Sequence, residues 1–423
     1  MSPNIIIFII FSTNFYIHTY SLTHWEDIQS LKHFRNGVVS TSITPGSCLS
    51  TWDFTVDPCD SLSGEKFTCG IRCDVVLSNI SRITEISLDR AGYSGSLTSS
   101  SWNLPFLQTL DLASNYFSGP IPGSFSRLTR LTRLSVSTNL LNGSIPDSPG
   151  SLPGSLEELL LDNNGLHGPI PLSLNGLKNL KRLELQGNQL SGEFPELTQL
   201  GNLSFLDVSN NVISGYLPAS FPASLIELAI RNNSLQGNIP ANIINNSVYL
   251  QVLDLSYNNL TGEIPAELFT HPSLQQLTLA YNRVGSIETP DNWGRNSVLI
   301  AVDLSNNDIH GFLPEFMGWM PDLSALSLEN NKFSGVIPTQ YAVKAVAEDG
   351  GGVGPFERLL LGGNYLFGLI PGPFLQVKNG SGSTIRLGDN CLYECPASFW
   401  FCGGGVQKSV VECRSFSFSP VIP

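Results

Sequence analysis

At 423 residues the chain exceeds the usual single-domain length, but 41% hydrophobic and only 13% charged residues exclude a disordered polyelectrolyte. The formal net charge of −13 disfavours nucleic acid as a partner and suits either a plain acidic surface or the binding of basic peptides and proteins. Thirty-nine glycines and 27 prolines, spread along the whole chain, signal turns that recur at intervals rather than low complexity.

Met1 is followed by an apolar run over residues 5–11, of signal-peptide length and too short to span a membrane. This predicts a secretory signal over residues 1–21, although no Lys or Arg precedes the run. Trp25, Ile28, Leu31 and Phe34 then fall at helical spacing, which predicts an amphipathic helix packed over the open end of the structure that follows. The same segment, residues 22–82, carries Cys48, Cys59, Cys69 and Cys73, and a second group, Cys391, Cys395, Cys402 and Cys413, closes the chain over residues 391–423. Two groups of four predict disulfide-linked caps in an oxidising compartment, each with three connectivities open. Zinc is the lesser alternative, because Cys69 and Cys73, like Cys391 and Cys395, lie within ligand spacing. Seven N-x-S/T sequons, at Asn79, Asn142, Asn202, Asn232, Asn245, Asn259 and Asn379, point to a glycosylated secreted protein.

Between the caps one frame repeats. Apolar residues at positions 1, 4 and 6 are followed by Asn at position 9, with starts at 83, 107, 131, 156, 180, 203, 225, 250, 274, 299, 323, 356 and 382. Most intervals are 22–26 residues, as in a leucine-rich repeat, and one is 33. Asn fills position 9 in twelve of the thirteen copies, Ala91 being the exception. A side-chain amide at one place in every coil can satisfy backbone groups buried where the strand turns inward, so the asparagines belong to the core. The long interval, with "TQYAVKAVAEDGGGVGP", reads as a surface bulge.

The second half of ten copies carries Gly-x-apolar-Pro, as in "GPIP", "GEIP" and "GFLP", with Gly at 119, 143, 168, 192, 215, 237, 262, 311, 335 and 368. The first copy ("GSLT") and the one starting at 274 ("GSIETP") break the form. The pattern LxGxIPxxLxxLxxL resembles the plant-specific class of leucine-rich repeat found in extracellular receptor kinases, receptor-like proteins and polygalacturonase-inhibiting proteins. It spans residues 83–390, and the cap phrase "WDFTVDPCD" resembles the N-terminal cap of plant receptor-like proteins. The resemblance implies an α/β leucine-rich-repeat solenoid, a right-handed superhelix with a parallel β-sheet on the concave face. After Cys413 only "RSFSFSPVIP" follows, with neither a membrane-spanning helix nor a kinase domain, so signalling would depend on a partner.

No catalytic constellation emerges. The histidines at 18, 24, 33, 167, 271 and 310 are scattered, and no H-E-x-x-H, G-x-S-x-G or phosphate loop is present, so neither enzyme activity nor a cofactor is expected. Binding is better served. Stacked strands at about 4.8 Å per coil build a concave sheet on which positions 2, 3, 5, 7 and 8 face solvent. The fifth position reads Asp111, Ser135, Leu160, Glu184, Asp207, Ala229, Asp254, Thr278, Asp303, Ser327 and Leu360 from the second copy to the twelfth. Phe205, Asp207, Arg231, Tyr257 and Tyr281 fall on four successive strands with Asp254 beside them, and exposed aromatics with arginine are typical of binding hot spots. The expectation is a secreted recognition protein of the apoplast or cell wall, binding an extracellular peptide or a membrane receptor kinase. The alternatives are an inhibitor of a secreted microbial wall hydrolase and a passive wall protein.

Overall fold

The structure, a computed structural model, describes residues 22–417 apart from 63, 78–79, 148–149, 348–352, 378–381, 397 and 404–405. The proposed signal segment and the sequons at Asn79 and Asn379 lie outside the described residues.

Each of the thirteen frames forms one coil whose positions 3–5 are a short strand of a parallel sheet. Among the described residues fifteen strands make up this sheet, including two from the N-terminal cap. The register is strict: Leu183, Leu206, Leu228, Leu253, Leu277 and Val302 pair in sequence, so every fourth-position side chain points inward in the same row. These residues are almost fully buried, and each such leucine contributes about 1.5–3 kcal/mol before the entropy of ordering is subtracted. The far side of the coils is built largely of short 3₁₀ turns, for example Gly123–Arg127 and Leu172–Gly176. The α-component of the expected α/β fold is therefore small. Part of the long interval departs from the reading of a surface bulge: Thr339–Ala345 is a helix that buries Tyr341, Ala342 and Lys344, while residues 348–352 lie outside the described residues.

The position-9 asparagines tie neighbouring coils together. Asn258 Nδ2 donates to Leu255 O (3.1 Å) and Ser256 O (3.2 Å) in its own coil and to Ile230 O (3.0 Å) in the preceding one. Its Oδ1 accepts from Leu235 N (3.0 Å), also in the preceding coil. One amide thus satisfies four buried backbone groups at a bend where no strand partner is available.

Lateral to the main sheet, each coil adds a second strand that ends near the Gly-x-apolar-Pro element. Among the described residues these strands form one sheet of nine and another of four. In all ten regular elements the Gly has φ between +80° and +96°, a left-handed kink that a side chain resists. The break between the two lateral sheets falls at the coil that spells "GSIETP". There Gly285 reaches Pro290 in five residues, whereas Gly262 reaches Pro265 in three, and the strand pairing slips by one residue beside it.

Both caps are crosslinked. Cys48 pairs with Cys69 and Cys59 with Cys73; at the other end Cys391 pairs with Cys413 and Cys395 with Cys402. Paired sulfurs leave no thiolate for zinc. The cap helix is Trp25–Gly37, but its buried face runs through Asp27, Ser30, Leu31 and Phe34, while Trp25 is exposed. The reason is an ion pair invisible to a hydrophobic reading: Asp27 is buried because Arg82 Nη2 and Nε reach its carboxylate at 2.7 and 2.9 Å, and Ile83 N donates to it as well.

Candidate binding surface

On the concave face the third and fifth positions form continuous rows set by the strand register. The third-position row passes through Glu158, Arg182, Phe205, Glu227 and Val252; the fifth-position row passes through Leu160, Glu184, Asp207, Ala229 and Asp254. Solvent exposure in the fifth-position row is uneven: Ser135, Leu160, Ser327 and Leu360 are buried, contrary to the expectation that this column faces solvent. The charged members Asp111, Glu184, Asp207 and Asp254 are half-buried, as is Ala229.

The six residues singled out from the sequence form two groups rather than one. Phe205 belongs to the first, where the Arg182 guanidinium lies 3.7 Å from its ring centroid and also pairs with Glu184. Arg182, Glu184 and Glu227 were not singled out, although reading the third position beside the fifth shows them. Burial pushes the carboxyls of Asp207 and Glu227 above their ordinary range, and the mutual repulsion of Asp207, Glu184 and Asp254 adds to the effect. Asp207 and Asp254 have each given one oxygen to a local turn, accepting from Ser209 N (2.8 Å) and Ser256 N (2.9 Å). Their remaining oxygens are crowded carboxylates that a cation would relieve.

The second group lies at the exit of the strands. The Arg231 guanidinium is 4.6 Å from the centroid of Tyr257, whose ring stacks on that of Tyr281 at 4.2 Å and an interplanar angle of 15°. Both tyrosines occupy position 8, where the backbone is left-handed in every coil from 107 onward, and the other coils place Asn, Gly, Ser, Thr or Asp there. Tyr257 and Tyr281, at φ +54° and +56°, are the bulky exceptions. Even with their rings stacked they remain 38% and 46% exposed. Asn232 stands in the same column, donating from Nδ2 to Asn210 Oδ1 at 2.9 Å. The exposed sequon residues Asn142, Asn202, Asn245 and Asn259 lie away from the stack's own column.

A leucine rich repeat profile matches residues 223–284, and single-repeat profiles match 106–128, 155–177, 179–199 and 202–223. The chain is 32% identical over 149 residues to receptor-like protein 35 of Arabidopsis thaliana, covering 34% of this chain and 15% of that one. It is 37% identical over 167 residues to lumican of Rattus norvegicus, covering 39% and 49%. The chain thus spans half or less of the length of these relatives. Among solved structures it resembles the plant peptide hormone receptor RGFR1 in complex with RGF2, with a TM-score of 0.63 and 30% identity over 74% of this chain and 50% of that one. Among the described residues no helix is long and apolar enough to cross a membrane.

Proposed function

We propose, on the premise that the chain is a leucine-rich-repeat protein of the plant extracellular type, that its concave face recognises an extended extracellular peptide or peptide-like protein segment. The observation that carries this reading is the Tyr257–Tyr281 stack. Two partly exposed aromatic rings, stacked on each other, are held where a left-handed backbone costs a non-glycine residue roughly 1–2 kcal/mol. In the coils before the stack Asp207 is crowded by Glu184 and Asp254, and Glu227 by Asp207 and Glu184. Together they suit a ligand with an aromatic or planar side chain at one point and a basic side chain about two coils away. The likeness to a peptide hormone receptor in complex with its peptide supports the same reading. In this role the protein acts by binding rather than catalysis, outside the cell, in the apoplast or cell wall, and signals through a membrane receptor kinase.

The test is affinity capture from an extracellular and membrane extract by the protein and by its Arg231→Ala, Tyr257→Ala, Tyr281→Ala variant, followed by mass spectrometry. Recovery of a peptide or a transmembrane kinase by the unaltered protein alone is expected. Recovery of a pectin-degrading hydrolase instead would make the protein an inhibitor, and equal capture by both proteins would remove the concave stack from the site.

A further inference from the structure

The irregular coil that splits the lateral sheets also opens a cleft. The last strand of the nine-stranded sheet, Arg283–Ile287, meets the first of the four-stranded one, His310–Phe312, through a bond from Asp308 N to Val284 O at 3.1 Å, and among the described residues the two strands form no ladder. Between them lies a cleft of about 310 Å³, within the ~300–1,000 Å³ of small-molecule sites. The longer path from Gly285 to Pro290 leads into the loop that carries Trp293, which lines the cleft together with Phe312. Both are open to solvent, at 47% and 80% exposure.

Trp293 is informative beside Trp102. Both hold a left-handed backbone, at φ +54° and +48°, which a bulky residue seldom adopts. Trp102 is buried and its indole N–H donates to Leu97 O (2.8 Å), so the interior accounts for it. Trp293 stays open, and its N–H has no acceptor among the described residues. The polar lining is open as well. Glu315 is exposed, with neither an ion pair nor a hydrogen bond to its carboxylate among the described residues. Ser286 Oγ donates to Glu263 Oε1 (3.2 Å) and keeps its lone pairs. No Lys or Arg is among the described residues lining the cleft, and Lys332, opposite His310 in the ladder, is already paired with Asp308 at 2.6 Å.

These groups select a ligand by exclusion. An anion would meet the Glu315 carboxylate with no opposing charge. A cation would suit Glu315 and the ring faces, yet it brings no acceptor for the indole N–H. A hydrocarbon would cover the rings but strip water from the carboxylate without replacing its hydrogen bonds. A neutral sugar ring meets every group: its hydroxyls donate to Glu315 and accept from Trp293, and its weakly positive C–H faces lie against the negative faces of the aromatic rings. We infer that the cleft is a binding site for a neutral pyranose unit, separate from the concave face and independent of the peptide reading. Two sources outside the cell carry that chemistry, a wall polysaccharide and the glycan of a partner glycoprotein.

Isothermal titration calorimetry of the secreted protein tests this with four probes: cellotetraose for the first source, a mannose-rich N-glycan oligosaccharide for the second, trigalacturonic acid as the anionic counterpart and putrescine as the cationic one. At least one neutral sugar is expected to bind with a Kd of about 1 mM or tighter, and the tighter of the two names the source. Trp293→Asn puts a residue that tolerates the left-handed backbone at an exposed position, and it should weaken that binding about tenfold or more with the melting temperature kept. Glu315→Gln, also exposed, should weaken it by about threefold while raising the affinity for trigalacturonic acid, which keeps the test decisive if the tryptophan variant fails to fold. Tyr257→Ala, Tyr281→Ala should leave it unchanged. Absence of binding by both neutral sugars, affinity retained in both cleft variants, or tighter binding of trigalacturonic acid or putrescine by the unaltered protein overturns the proposal.

Discussion

The coils before the break in the lateral sheet and those after it share one interior but show solvent different faces. Before the break the residue after each kinked glycine is mostly proline or polar, with Tyr216 as the one large aromatic, and the stacked tyrosines are on the concave side. After it the same place holds Phe312, Val336 and Leu369, all exposed. A solenoid can diverge in this way because inward and outward positions are separate columns: the core needs only leucine, asparagine and kinked glycine in place, and each outer column is free to change coil by coil.

The largest expected effect tests whether the interior is common to both regions. Asn258→Leu and Asn331→Leu each remove an amide that satisfies three carbonyls and one N–H of neighbouring backbone. Each is expected to cost about 3 kcal/mol or more in denaturant unfolding. A loss confined to one region would break the comparison.

Lys344 sharpens it from the other side, since it has no counterpart before the break. Its Nζ, almost fully buried, donates to Met320 O (2.7 Å) and Gly354 O (2.8 Å), and burial pushes its pKa down to about 8. The unfolded chain therefore binds this proton more tightly than the folded one, so stability should rise as pH is raised from about 8 toward the ordinary lysine value near 10.4. Thermal unfolding across that window should show the rise in the unaltered protein and lose it in Lys344→Met, which is also less stable at pH 7 because its carbonyls are left unpaired.

The concave tyrosines should behave in the opposite sense. Tyr257→Asn or Tyr281→Asn places at a left-handed position a residue that tolerates it, and each is expected to raise stability by about 0.5–1 kcal/mol while weakening ligand capture. A loss of stability would mean that the stack is structural. The smallest effect concerns Asn232, which shares the tyrosines' column. If the stack is a binding site, peptide mapping of the secreted protein should find Asn232 without a glycan while Asn142 or Asn259 carries one.

Much of the scaffold was legible. The 24-residue frame, the buried asparagines, the kinked glycines and even the irregular coil at "GSIETP" are written in the sequence, and the structure adds only that this irregularity splits a sheet. The surface was harder. Tyr257 and Tyr281 share position 8, but that their rings meet at 4.2 Å is a property of the stacked coils. Leu160 and Leu360 occupy a position that the repeat turns toward solvent, yet they are buried, because burial on a curved face depends on what the neighbouring coils present. Phe312, Val336 and Leu369 are spelled out in "GFLP", "GVIP" and "GLIP", yet nothing in the letters says that the residue after the glycine is exposed.

By itself the sequence determined the repeat, its length and its interior, because a coil's inward positions are chosen by local periodicity and by the obligation to satisfy buried backbone groups. Only the tertiary structure decided which cysteines pair, that Asp27 lies buried against Arg82, and which side chains 22–33 residues apart stand side by side on a surface. Those relations depend on the register and curvature with which successive coils stack, and no single coil encodes them.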